Sequence, residues 1–218
     1  MLPTDKLAIP GEYPFNFKGA VGQLEGVLTV PEHANLDYMA ILGHPHSLQG
    51  GTMNNKVVTT MARAFKELSI PSLRFNFRGV GLSEGVYNDG IGESEDMVIL
   101  TRYWQQQFPA AKFIFAGFSF GSYVTYRAAA QCQHSLLISI APSVHHYDYT
   151  DYSPAPWIIL QGDDDDVSPL PLVLEFAEQV TLAAPVLRFS DTGHFFHGKL
   201  IELKSRLIDA IRTQIKSL

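Results

Sequence analysis

The chain reads as an α/β protein with a mainly parallel central sheet and helices on both faces. Two observations carry this. Short apolar runs alternate with amphipathic segments of helical period along nearly the whole chain, the pattern of βαβ units. Polar or glycine-rich clusters follow several of those runs, at the strand ends where such folds place function.

Taken in order, VGQLEGVLTV (21–30) alternates as a strand and stops at Pro31. YMAIL (38–42) is wholly apolar, as suits a strand covered on both faces. Residues 53–68 place Val57, Met61, Ala64, Phe65 and Leu68 at helical spacing. Strands at 72–77, 112–116, 136–141, 156–161 and 185–190 follow, interleaved with helices at 94–108, 122–131 and 171–180. A last helix is expected from Lys199 to Lys216. No repeat, linker or low-complexity segment divides the 218 residues, so 1–218 is expected to be a single domain.

Composition excludes several classes. With 16 basic against 22 acidic residues the net charge is −6, which does not suit a nucleic-acid binder. The one cysteine, Cys132, excludes an internal disulfide framework and a Cys-based zinc site. No run approaches 18 apolar residues and no leader pattern opens the chain, so a cytoplasmic protein without membrane attachment is expected. Nothing in the pattern speaks to oligomeric state.

Two segments match G-x-S-x-G: Gly117–Gly121 and Gly81–Gly85. Context separates them. A nucleophile elbow joins a strand directly to a helix, which lifts the serine above the sheet edge and aims helix amides at developing negative charge. Ser119 has KFIFA before it and SYVTYRAAAQ after it. Ser83 follows its strand only after RGVG, stands beside Glu84, and reads as a loop residue near the pocket mouth. Ser119 is therefore the expected nucleophile.

A serine needs a base, and the base a carboxylate that fixes its tautomer, in the chain order Ser, Asp, His. His194 lies beyond the 185–190 strand and before the last helix, where such a base belongs; His197 reads as the start of that helix, and His145 and His146 as solvated. Four aspartates, Asp163 to Asp166, compete for the acid. Asp165 is preferred, as the fourth position of G-x-x-D-x-V-x-P, and the other three stay open. The oxyanion hole takes the Phe120 amide and one from the His44–Ser47 loop, where Pro45 has no N–H. His46 is preferred there, then Ser47. His44, Gly50 and Gly51 are expected on the substrate side, with a buried, loop-bracing ring as the alternative for His44.

These segments together, GHPHSLQGGTMNNKVV, RFNFRGVGLSEG, FAGFSFGSY, LQGDDDDVSP and DTGHFFHGKL, resemble the α/β-hydrolase superfamily. They are similar in particular to small lidless bacterial hydrolases related to the dienelactone-hydrolase and prolyl-oligopeptidase-like branches. The resemblance implies the α/β-hydrolase fold, Ser119, Asp165 and His194 as catalytic residues, and no cofactor. It departs from dienelactone hydrolases proper, whose nucleophile is cysteine. Residues 142–155 are too few for a cap domain and are expected to shape an open cleft, with Tyr147, Tyr149 and Tyr152 either contacting substrate or covering the core; Trp157 at the strand edge reads as core cover. The expected activity is cleavage of a small ester or thioester through an acyl-enzyme. The alternatives are a peptidase or amidase on the same residues, a metal hydrolase using His44, His46, His194 and Asp165, and a non-catalytic binding module.

Overall fold

A computed structural model describes residues 4–150, 156–180 and 184–215. Eight strands form one sheet in the order β1-β2-β4-β3-β5-β6-β7-β8. They are β1 (Gly11–Lys18), β2 (Gln23–Val30), β3 (Tyr38–Gly43), β4 (Ser72–Phe75), β5 (Lys112–Phe118), β6 (His134–Ile140), β7 (Trp157–Gly162) and β8 (Val186–Phe189). From β4 to β8 every pairing is parallel, and β2 joins antiparallel to both β1 and β4. The sheet is thus mainly parallel, with an antiparallel margin.

Strand β1 has no counterpart among the sequence-based expectations. Phe15 and Phe17 are buried on alternate positions, but Pro14 breaks the pattern. The strand tolerates it because β1 is the outermost member of the sheet, and an edge position can lack a ladder donor.

The five helices are α1 (Lys56–Glu67), α2 (Ile91–Gln107), α3 (Phe120–Ala129), α4 (Leu170–Gln179) and α5 (Leu200–Gln214). Alternation along the strands sorts the core into two layers. Ala40, Leu42, Ile114, Ala116 and Ile138 face α1 and α5, where Met61, Phe65, Leu203 and Leu207 meet them. Met39, Ile41, Phe113, Phe115 and Leu137 face the other way, toward Trp104 of α2, Tyr126 of α3 and Val173 of α4. Both faces are covered, which is why these strands read as continuous apolar runs rather than alternating ones.

Helix ends differ from expectation by local chemistry. Helix α2 begins three residues early, because the Glu93 carboxylate accepts from the Gly90 and Asn88 amides and caps it. Helix α5 begins at Leu200, so His197 lies in the turn before it; the expected end at Lys216 falls outside the described residues. Between β6 and β7 no helix occurs among the described residues. Tyr149 and Trp157 from this region are core, the indole Nε1 donating to Ser139 Oγ at 3.0 Å. Tyr152 lies outside the described residues. No helix among the described residues is long and apolar enough to cross a membrane.

Candidate active site

The parallel strands end on one rim, and the site is assembled there. Ser119 joins β5 to α3 with φ 55° and ψ −122°, a conformation that is strained for a side chain-bearing residue and typical of sites where geometry matters. The flanking glycines make the turn possible. A Cβ on Gly117 would stand 2.2 Å from the Gly121 carbonyl oxygen, and one on Gly121 2.4 Å from that of Gly43. The Ser119 amide donates to the Ile140 carbonyl at 2.9 Å, tying the elbow to β6.

Ser119 Oγ lies 3.0 Å from His194 Nε2, and His194 Nδ1 lies 2.9 and 3.1 Å from the two oxygens of Asp165. An ionised carboxylate only accepts, so Nδ1 carries the proton and Nε2 is left to accept from the serine hydroxyl. All three residues are buried. Asp165 is fixed by further donors: the amides of Val167 and Ser168 and the Gln161 side chain, at 2.9, 2.6 and 3.1 Å. Of its neighbours, Asp163 pairs with Arg188 on the surface, and Asp164 and Asp166 are exposed. The structure therefore brings Ser119, His194 and Asp165 into one hydrogen-bonded line.

Ser83 sits elsewhere. Its hydroxyl donates to the Asn76 carbonyl at 2.7 Å and accepts from the Glu25 amide at 3.1 Å. It borders neither cavity beside Ser119, so it braces the loop after β4 and does not stand at a pocket mouth.

The loop after β3 divides the residues expected from it. His46 borders the cleft, with its ring 5.0 Å from that of Phe120. Its Nδ1 accepts from the Leu48 amide at 3.2 Å, and its carbonyl accepts from the Gln49 and Gly51 amides, so the loop is held on three bonds. Phe120 is the first residue of α3, and its amide is among those without an intrahelical acceptor. Gly50 and Gly51 border the cleft as expected; a Cβ on Gly51 would stand 2.1 Å from the Pro45 carbonyl oxygen.

Ser47, the second choice of oxyanion amide, opens a 3₁₀ turn over Ser47–Gln49 and borders neither cavity; its buried hydroxyl is not the group expected to donate. The expectation for His44 is corrected. His44 is fully buried and offers no surface to a substrate. Its Nε2 accepts from the Phe77 amide at 2.9 Å, and its Nδ1 donates to the Pro45 carbonyl at 2.7 Å. With both nitrogens engaged, His44 cannot join His46, His194 and Asp165 as a metal donor. It is the bracing ring.

Burial pushes the His44 pKa down to about 3 from 6.5, its hydrogen bond to Pro45 opposing this. Below pH 6.5 the unfolded chain takes up a proton that the folded chain refuses, so stability falls as pH falls toward 3. His44→Gln, which keeps an acceptor for the Phe77 amide, is expected to flatten this dependence. Between roughly pH 4 and 6, urea unfolding of the variant should lose stability more slowly, by up to about 1.4 kcal/mol per pH unit. Parallel curves for the two proteins would refute the assignment.

Several cleft residues were not anticipated. Tyr87 and Asp89 come from the loop preceding α2, and Ser143 follows β6, its hydroxyl 3.4 Å from Ser119 Oγ. His146, expected to be merely solvated, is exposed but borders the cleft beside Tyr147. The loop after β6 was expected to shape the cleft; applying the strand-end rule to β4 as strictly as to β3, β5 and β7 points to Tyr87 and Asp89 as well.

An eight-stranded, mainly parallel sheet with a serine at a strand–helix elbow defines an α/β-hydrolase. No family model matches the chain. An α/β serine hydrolase homologue from Coxiella burnetii is 42% identical with a TM-score of 0.87, over 91% of this chain and 96% of that one. An α/β serine hydrolase without a lid from Xanthomonas campestris is 38% identical with a TM-score of 0.89, over 100% and 96%. An uncharacterized protein of Rickettsia prowazekii is 31% identical over 209 residues, 90% of this chain and 87% of that protein. The chain belongs to the α/β-hydrolase superfamily, among its small lidless serine hydrolases.

Proposed function

We propose that this hydrolase cleaves small esters, thioesters included, through an acyl-enzyme on Ser119. The observation that carries the reading is the hydrogen-bonded line from Ser119 Oγ through His194 to the buried Asp165 carboxylate. In the first half-reaction His194 Nε2 takes the hydroxyl proton as Oγ attacks the substrate carbonyl. Asp165 keeps the imidazole in the accepting tautomer and stabilises the imidazolium that forms. The Phe120 amide, at the positive end of α3, and the His46 amide receive the oxyanion. Such preorganised donors each contribute about 10²–10³ in rate. His194 then returns the proton to the departing oxygen or sulfur. In the second half-reaction water replaces the leaving group, and the same transfers release the acid.

This scheme needs no cofactor and a small-molecule partner only. A fluorophosphonate probe should label the purified protein once, on the tryptic peptide carrying Ser119, and labelling should persist in Ser83→Ala. The protein should also release p-nitrophenol from the acetate and butyrate esters. No labelling and no release would overturn the proposal.

A further inference from the structure

Two cavities meet at Ser119, and they differ in chemistry. Ser119, His46, Gln49 and Val167 border both. The smaller, ≈ 160 Å³, continues past Gly50, Gly51, Asn55 and His194. The larger, ≈ 360 Å³, continues past Tyr87, Asp89, Ser143, His146 and Tyr147.

The reaction distinguishes them. His194 must hand its proton to the departing atom, so the leaving group lies within hydrogen-bond reach of its Nε2. His194 borders the smaller cavity and not the larger. The leaving group therefore takes the smaller cavity, the oxyanion faces the shared His46 wall, and the acyl chain is left the larger one.

That larger cavity sets one carboxylate, Asp89, beside two phenols and a serine hydroxyl, which both accept and donate. Because His46 Nδ1 accepts from Leu48, its Nε2 carries hydrogen and donates to the Tyr87 hydroxyl oxygen at 3.3 Å. The Tyr87 and Tyr147 hydroxyls stand 3.4 Å apart. Asp89 borders the same cavity; burial raises the pKa of both phenols, and the Asp89 carboxylate adds to it. Asp89 is held at φ 52°, a left-handed conformation that aspartate tolerates better than most residues. Glu93 behind it is already engaged by two amides. No lysine or arginine borders either cavity; the larger one holds the exposed Asp89 with two histidines, of which His46 accepts at Nδ1.

We propose that the larger cavity is the acyl subsite, and that it selects acyl groups bearing an ammonium or hydroxyl donor. Plain alkyl chains of the same length and carboxylate-bearing chains are disfavoured. An alkyl chain displaces water from the phenols and the carboxylate without replacing its hydrogen bonds, and a second carboxylate meets Asp89 unpaired. The inference rests on Ser119 as the nucleophile.

The test compares kcat/KM for four ethyl esters by acid release at constant pH: butanoate, 3-hydroxybutanoate, 4-aminobutanoate and hydrogen succinate. The amino ester is expected to exceed the butanoate by about threefold to fivefold, as for an ion pair to an exposed carboxylate, with the hydroxy ester between them and the succinate slowest. Asp89→Asn should cut the amino-to-alkyl ratio several-fold and speed the succinate relative to the butanoate. Loss of fold cannot produce that shift of preference, since it lowers all four rates together. An equal or faster butanoate, ratios unmoved by Asp89→Asn, or fluorophosphonate labelling of Ser119 with none of the four esters cleaved would overturn the subsite alone. Absence of both labelling and turnover would instead overturn the proposed function beneath it.

Discussion

Ser119→Ala is expected to lower kcat on p-nitrophenyl butyrate by about 10⁶-fold, the scale on which loss of an activated serine is felt, while KM changes little. Only the attacking atom is removed: the elbow glycines and the His194–Asp165 pair remain in place. Fluorophosphonate labelling should vanish with the activity. The thermal unfolding midpoint should move little, because alanine and serine bear the same Cβ in the same strained backbone at φ 55°. A variant that keeps a tenth of the activity and still labels would mean that another group attacks. Ser143, 3.4 Å away, is the serine to test next. Residual turnover over the uncatalysed reaction is expected even so, since the oxyanion amides outlive the nucleophile.

The fold was legible where pattern and environment agree. Runs such as 38–42 and 112–116 are apolar throughout because helices cover both faces of the sheet, and such a run cannot belong to a sheet with one wet face. β1 was not legible for the opposite reason: it pairs only with β2, and Pro14 masks its alternation. The start of α2 was missed because its cap is a glutamate reaching back from inside the helix to Gly90, not a serine or aspartate standing before it.

The candidate site was legible in its hydrogen-bonded line and only in part in its walls, where His46, Gly50 and Gly51 were readable and Tyr87 and Asp89 were not. Ser119, His194 and Asp165 occupy loops whose residue types have few other reasons to follow strands in that order. His44 and His46 are two residues apart in one loop, and nothing local distinguishes them. Their fates are settled by partners remote in sequence: the Phe77 amide, which engages His44, and the Phe120 and Tyr87 rings, which leave His46 facing the cleft. Tyr87 and Asp89 carry no local mark, since they lie at the far end of the long loop between β4 and α2, which only the fold brings back beside Ser119.

Asp165→Asn is expected to reduce kcat by about 10⁴-fold, and Asp163→Asn to leave it within about twofold, since the ion pair it breaks is a surface one. The substitution keeps the shape of the side chain, so the loss must come from proton placement. One carboxylate oxygen accepts from the Val167 and Ser168 amides, at 2.9 and 2.6 Å. An NH₂ group cannot occupy that position without opposing two N–H donors, so the new amide must turn its NH₂ toward Gln161 and His194. Facing a donor, Nδ1 of His194 has to give up its hydrogen, which moves to Nε2. Nε2 then points an N–H at Ser119 Oγ and cannot take its proton. The variant should therefore remain folded, retain the His194–Ser119 distance, and fail as a base. Raising the pH should restore part of the rate as hydroxide substitutes for the lost base. Arg188, half exposed opposite Asp163, has no route to His194, so comparable losses in both variants would mean that the acid is not Asp165.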